Sequence, residues 1–568
     1  MTLLTLIGSI SLFLFAMQLI SDNLQKIAGD VLRHAQPAMT GNALTGMFTG
    51  LGVTALVQSS TAVTMMAVSF ANTGMITLSQ SMSVIMGANI GTTITAWIIA
   101  LLCFNFDAYV WAFPLIALIV PLFGFRKGSS QSWGELILGI ALLVIGIHFM
   151  QVSFDDMDGT WLPLWLDAEG YQHILAVSFI LLGGLLLTVI FRSSSVTFLI
   201  ALLLCVSEWI SFELGCALIV VANIGTCIPP IFAARKGNAM ARRAALLHFL
   251  FNFIGMFWIL ILNLAIYLLF KGKLAPEQST IAYCCELVGL GNPHVQQNVP
   301  VCLAFFHTVF NVATMCLLLP LRHQLVKLVS GAVHEMESDT EQSFKLQYIS
   351  SGMLSSSEMA LAQVQKETAR YGEEVCKMFA LVREMLAEPL GSERQLFIND
   401  RIRMMEEESD RAEMEIADFL NKISPKSLSW QGEQLSRNLY KIVDELESVA
   451  DSIYHISATL YSKSEQRVRF SPELNTNVNK MFVLTDEALQ HMLKLMEMNE
   501  VTTSALNKAY NIEDEINNFR NQYHNSVLDQ FDRNEVQYQQ STFFMMLINE
   551  CEKIGDYIIN VVTALEER

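Results

Sequence analysis

Apolar residues fall in two regimes along the chain. Up to about residue 330, long apolar runs succeed one another at 3–20, 77–100, 108–124, 134–150, 212–234, 244–270 and 300–320. Each has the length and apolarity of a helix that crosses a bilayer, which needs about 20 residues. Beyond residue 340 such runs end. Apolar positions there recur three and four residues apart between charged ones, as in "FALVREML" (379–386) and "MFVLTDEALQHMLKLM" (481–496). That spacing predicts amphipathic helices burying one face, with breaks at Pro425 and Pro472. Charge divides the same way. Residues 1–330 hold 13 acidic and 13 basic side chains, and residues 331–568 hold 41 and 23, so the net −18 belongs to the second regime. The pattern predicts an all-α protein with a membrane domain (1–330) and an acidic, soluble helical domain (340–568). The first run lacks a basic leader and a small-residue cleavage site, so it reads as a retained helix. The ten cysteines form no CxxC pair and lie mostly in apolar runs, so no disulfide framework is expected.

The membrane part contains a repeat at a constant offset of 134. Gly50 maps to Gly184, Thr54 to Thr188, Ser59 to Ser193, Ser60 to Ser194 and Thr61 to Ser195. Further on, "GANIGTT" (87–93) maps to "VANIGTC" (221–227), pairing Asn89 with Asn223 and Thr92 with Thr226. Apolar bias accounts for matched Leu and Ile, but not for matched Ser-Ser and Asn-Ile-Gly-Thr. Repeat one covers about 1–130 and repeat two about 131–330. Lys26, Arg33, Arg126, Lys127, Arg235, Lys236, Arg242, Arg243, Arg322 and Lys327 fall on one side if 43–73 and 173–208 enter and leave by the same face. The positive-inside rule makes that side cytoplasmic; Lys271 and Lys273 are the exceptions. The two segments are then re-entrant hairpins, each repeat has three crossings, and the copies are inverted. This is the plan of a secondary transporter, with its site at the repeat interface.

The hairpin tips fall at Gln58-Ser59-Ser60-Thr61 and Arg192-Ser193-Ser194-Ser195. A helix starting after each tip offers free N–H groups and a positive dipole end, which suit an anion. Asn89, Thr92, Asn223 and Thr226 supply oxygens suited to a hard cation such as Na⁺. Gly91 and Gly225 permit local unwinding or tight packing, and "IPPI" (228–231) disturbs its helix. Glu135, Glu208 and Glu213 lie at predicted helix ends, so the core is poor in acids, which favours Na⁺ over H⁺ as coupling ion. Two further pairs, in "HFLFN" (248–252) and "HTVFN" (307–311), place His and Asn on one helix face. Either an interhelical hydrogen bond or a ligand contact fits them.

Paired QSS-type motifs followed by AN-I-GT resemble the sodium/phosphate cotransporter family, the type II group with its bacterial relatives. The resemblance spans about 1–325. It implies sodium-coupled transport of inorganic phosphate, with Gln58, Ser59, Ser60, Thr61, Ser193, Ser194 and Ser195 in the substrate and ion sites and Asn89, Thr92, Asn223 and Thr226 beside them. Arg192 departs from the family's Gln. Such an Arg, if buried, needs a partner; it grips the anion, replaces part of a cation site, or snorkels or pairs with a helix end.

The acidic part holds a second repeat, "ESVADSIYHI" (447–456) against "EKIGDYIINV" (552–561), with "MEEESD" (405–410) against "IEDEIN" (512–517). It resembles a PhoU-like domain, a pair of three-helix bundles. The resemblance implies a possible divalent metal site drawn from Glu406, Asp410, Glu447, Asp451, Glu513, Glu552 and Asp556, although Asn517 breaks the fourth motif. Carboxylates suit Mg²⁺ or Mn²⁺, and a solvated acidic face remains the alternative. The expected partners are phosphate, sodium and the lipid membrane, with a homo-oligomer or a cytoplasmic signalling protein open. An acidic tail argues against nucleic acid. No P-loop, HExxH or GxSxG motif supports an enzyme. The expected location is a bacterial inner membrane with the tail cytoplasmic. A phosphate sensor with little transport is the rival reading.

Overall fold

The computed structural model describes residues 2–33, 35–104, 109–119, 129–157, 166, 171–235, 237–269, 280–334, 357–423, 428–498, 501–528 and 535–567. The basic residues Arg126, Lys127, Lys236, Lys271 and Lys273, and Pro425, lie outside them. Among the described residues the regular structure is helical, with no strand. The chain forms two compact units. One is 1–340 with 350–360 and 425–430, and the other is 341–349, 361–424 and 431–568.

The main helices of the first unit are α1 (Thr2–Ile27), α2 (Ala43–Val57), α3 (Ser60–Asn72), α4 (Leu78–Phe104), α5 (Tyr109–Ile119), α6 (Ser129–Asp155), α7 (Tyr171–Phe191), α8 (Ser194–Val206), α9 (Phe212–Gly225), α10 (Ile228–Ala234), α11 (Ala239–Leu269), α12 (Val299–Leu318) and α13 (Arg322–Ala332). Among the described residues, seven segments are long and apolar enough to cross a membrane. Six match predicted runs. The seventh, His173–Phe191, is the first arm of the second predicted hairpin, and it stops at Arg192. The predicted run 108–124 is represented by α5, 11 residues long, and 120–124 lie outside the described residues.

Both polar motifs break their helices in the same way. Gln58 ends α2 with φ 55°, Ser59 is extended (φ −148°, ψ 105°), and α3 starts at Ser60. Arg192 follows α7 with φ 51°, Ser193 is extended (φ −142°, ψ 117°), and α8 starts at Ser194. A left-handed residue terminates a helix, and an extended Ser is a favoured start for the next. For a non-glycine residue the left-handed turn costs roughly 1–2 kcal/mol, so packing around the breaks must hold it. In the second copy the arms fold back on each other. Thr188 and Thr197 hydroxyls meet at 2.7 Å, and Thr197 Oγ1 donates to the Gly184 carbonyl at 3.4 Å, 13 residues away. In one straight helix those residues would be about 20 Å apart.

The repeated glycines are explained by close approach. A Cβ on Gly91 would lie 2.7 Å from the Leu51 carbonyl oxygen and from Thr54 Cβ, and one on Gly225 would lie 2.7 Å from Thr188 Cβ. Thr54 and Thr188 are repeat partners, as are Gly91 and Gly225, so one hairpin-on-helix contact is built twice. Of the two roles expected for these glycines, packing applies to both. Helix α4 runs unbroken past Gly91, and past Gly225 the backbone stays right-handed through Thr226 and Cys227 into α10.

The second unit contains α14 (Ser357–Ala387, apart from its first turn), α15 (Glu393–Lys422), α16 (Trp430–Glu465), α17 (Pro472–Glu497), α18 (Thr503–Leu528) and α19 (Glu535–Glu566). They form two groups of three. Tyr371 bonds Ser409 between α14 and α15, and Ser457 Oγ donates to Asn399 Oδ1 at 2.8 Å between α16 and α15. Helices α17, α18 and α19 pack on one another. The groups meet where Phe379 and Phe482 lie 5.6 Å apart. Ser392 and Ser471 cap α15 and α17.

Candidate substrate and ion site

At each tip, helix geometry leaves donors open. Ser60, Thr61, Ser194 and Ser195 are 5–7 % exposed, and their side chains make no hydrogen bond among the described residues. Mid-helix, such hydroxyls would bond the carbonyl one turn back. In a first turn no such carbonyl precedes them, and the neighbouring backbone N–H groups are also unpaired within the helix. The result is a cluster of donors at the positive end of a helix dipole, fit for an oxyanion.

The heads of the two tips differ. Ser59 Oγ caps α3 by accepting from Ala62 N at 3.2 Å, whereas Ser193 makes no capping bond. Gln58 is held on both sides: its amide donates to the Ala55 carbonyl, and its oxygen accepts from Thr95 Oγ1 at 2.8 Å. Thr95 is a residue the motif reading missed, and only the fold reveals it. The repeat partner of Thr95 is Pro229, so the second copy has no hydroxyl for this bond. There Arg192 is exposed, with no partner among the described residues. No helix-end pairing is observed for it among the described residues.

The repeats interlock. Tip helix α3 packs on α10 of repeat two, and tip helix α8 packs on α4 of repeat one. Asn89 Nδ2 donates to Asn252 Oδ1 at 3.3 Å, and Asn223 Nδ2 donates to Asn311 Oδ1 at 3.1 Å. Their own Oδ1 atoms accept no hydrogen bond among the described residues, so they remain available as neutral cation ligands. Thr92 Oγ1 donates to the Ala88 carbonyl at 3.1 Å and Thr226 Oγ1 to the Asn223 carbonyl at 2.6 Å; a hydroxyl that donates still has lone pairs for a cation. Asn252 and Asn311 thus belong to the constellation, and the paired His-x3-Asn segments were the sequence signal for them.

In the second unit the seven candidate carboxylates separate into two groups. Glu406, Asp410 and Asp451 each offer an oxygen within 4.8 Å of the others. Glu447 stands beside them, and burial, then Asp451, Glu413 and Asp410, raise its carboxyl to about 7. Burial, then Asp410, also raises Glu406 and Asp451. The other group, Glu513, Glu552 and Asp556, is partly compensated. Burial and then Asp514 raise the Glu513 carboxyl, yet Asn517 donates to it, and Arg520 Nη1 lies 3.2 Å from Glu552. The oxygen-only first group, crowded enough to hold protons, fits a hard divalent cation better than the second.

Residues 12–152 match the Na+/Pi-cotransporter family. The cotransporter resemblance carried by the tips therefore holds for repeat one and the start of repeat two. Among the relatives, "Putative inorganic phosphate export protein YjbB" of Escherichia coli O157:H7 is 24 % identical over 476 residues, covering 82 % of this chain and 79 % of that protein. "Uncharacterized protein YqeW" of Bacillus subtilis is 26 % identical over 329 residues, 58 % of this chain and 97 % of that one. "Sodium-dependent phosphate transport protein 2A" of Rattus norvegicus is 36 % identical over 101 residues, 17 % of this chain and 16 % of that protein. No solved structure matches the chain significantly.

Proposed function

We propose that the chain carries inorganic phosphate across a bacterial inner membrane, coupled to Na⁺, by alternating access around the two tips. The observation behind this is the twice-built tip: a left-handed break, an extended serine and a helix start with unpaired buried hydroxyls. Ser60, Thr61, Ser194 and Ser195 donate to the anion with the first-turn N–H groups, and Ser59, Gln58, Ser193 and Arg192 shape the heads of the tips. Asn89 and Asn223, with Thr92 and Thr226, offer oxygens to Na⁺. The arms enter and leave the membrane by one face, as re-entrant hairpins. The names of the relatives support phosphate as cargo, and they span export and sodium dependence. Direction follows from the gradients and the coupling.

Residues 340–568 serve as a cytoplasmic PhoU-like regulatory domain, and Glu406, Asp410 and Asp451, with Glu447, hold a divalent cation there. A transporter of this kind needs no catalytic residue. Labelled phosphate flux in proteoliposomes, run in both orientations with and without a Na⁺ gradient, tests the reading. Flux that ignores sodium overturns the coupling. Flux whose phosphate response survives deletion of 340–568 overturns the regulatory role.

A further inference from the structure

The His-x3-Asn segments lie outside the constant-offset repeat, yet each half of the site receives one. Helix α11 carries His248 and Asn252, and α12 carries His307 and Asn311. Each helix ties the repeats together. Asn252 holds Asn89 of repeat one and donates to Cys227 Sγ of repeat two at 3.2 Å. Asn311 holds Asn223 of repeat two, while Thr308, beside His307, accepts from Trp97 Nε1 of repeat one at 2.9 Å.

One turn from each asparagine, on the same face, stands a histidine. His248 is fully buried and His307 is 2 % exposed, and all four ring nitrogens lack a hydrogen-bond partner among the described residues. Buried polar atoms are seldom left so, because each costs about 1–3 kcal/mol. Both histidine helices lean on tip helices: α11 packs on α3 and α12 on α8. The His307 ring stacks on Phe198 at 6.0 Å, and Phe198 lies one turn along α8 from Ser194. The repeat partner of Phe198 is Thr64, one turn along α3 from Ser60. Its hydroxyl is also buried and unpaired.

The helices meeting here, at 43–72, 78–104, 194–206, 239–269 and 299–318, contain no Asp or Glu. Hydrogen phosphate carries P–OH as well as bare oxygens, so its site needs an acceptor besides donors. Serine hydroxyls and backbone N–H groups supply donors, and a neutral imidazole donates from one nitrogen and accepts at the other. Sulfate has no proton at neutral pH, so a ring lone pair facing it stays unpaired, which penalises the wrong anion.

Resting on the reading of the chain as a phosphate carrier, we propose that His248 and His307 contact the substrate and select protonated oxyanions over sulfate. The test is phosphate flux in proteoliposomes of the full chain, with sulfate as competitor. In His248→Phe and His307→Phe, sulfate competes about tenfold better or more against phosphate, while His→Gln at either site, which restores a donor and an acceptor, stays close to wild type. A wild type that carries no phosphate overturns the carrier reading and this proposal together. Wild-type flux with sulfate competition unchanged in the folded Phe variants overturns the histidine assignment alone. Should the Phe variants fail to fold, diethyl pyrocarbonate labelling of the wild-type chain, mapped by peptide mass spectrometry, decides. Phosphate is expected to slow labelling of both histidines several-fold and sulfate is not. Equal protection by the two anions, no protection, or inertness of either ring overturns the assignment.

Discussion

At Gln58 and at Arg192 the backbone does the same thing, with φ of 55° and 51°, an extended serine and a new helix. The side chains do not. Gln58 is braced by Thr95 and by its own helix, while Arg192 stands exposed and the residue corresponding to Thr95 is Pro229. The shared backbone presents a helix N-terminus at each tip, and the heads of the tips carry different side chains. The acidic groups of the second unit repeat the lesson. Glu406, Asp410 and Asp451 crowd together with only His455 easing the charge on Glu406 and Asp451, whereas Asn517 and Arg520 bond Glu513 and Glu552 directly. In both units a duplicated element keeps its geometry and changes its chemistry in one copy.

The largest expected effect tests whether the two hairpins are equally tight. A Cβ on Gly50 would lie 2.1 Å from the Val84 carbonyl oxygen, which is backbone, and one on Gly184 would lie 2.5 Å from Leu218 Cδ2, a side-chain end that can swing away. Gly50→Ala should lower the stability of the full chain in detergent by about 3 kcal/mol or more, and Gly184→Ala by about 1 kcal/mol. Equal losses in thermal unfolding would mean that the copies tolerate strain alike.

Next in size are the hydroxyls. Ser60→Ala and Ser194→Ala should each weaken phosphate binding by about tenfold. Their melting temperatures should stay at the wild-type value, because neither hydroxyl bonds the protein. A melting shift without an affinity change would make them structural. The heads follow. Arg192→Gln should change both sodium dependence and phosphate affinity, and both unchanged would leave Arg192 without a role in the site. Thr95→Val should cost about 1 kcal/mol of stability by stranding the Gln58 oxygen, read in the same melts.

The smallest effect concerns the acids. Glu447 has its carboxyl raised to about 7, so the folded state holds a proton that the unfolded chain has released. Its contribution is complete below the ordinary glutamate range near 4.5 and is lost as pH rises through 7. The second unit should therefore melt at a lower temperature at pH 7.5 than at pH 5 without divalent cations. Added Mg²⁺ or Mn²⁺ should restore it at pH 7.5 and do little at pH 5. Asp451→Asn should weaken that rescue more than Asp556→Asn. Equal effects would equate the two acidic groups.

Much of this was legible in the chain. The offset of 134 brings both helix breaks within four-residue stretches, because Ser and Gln or Arg interrupt apolar runs that otherwise read through. Six of the seven long apolar segments follow from run length alone. What escaped depends on contacts distant in sequence. The Thr95–Gln58 bond, the open face around Arg192 and the Arg520–Glu552 pair each join residues whose nearness no periodicity encodes. Gly91 illustrates the boundary: its recurrence marked it as special, but only the approach of Thr54 and Leu51 decides between packing and unwinding.

The two asparagine bonds also set a timetable for biosynthesis. Asn89 waits 163 residues for Asn252, and Asn223 waits 88 for Asn311. Until α11 emerges, the first tip has polar groups in an apolar setting without the helix that covers them. The half made first is therefore the half completed with the longer delay. Nascent chains that end before residue 239 should leave 43–72 open to protease or to a membrane chaperone, and chains extended past 311 should not.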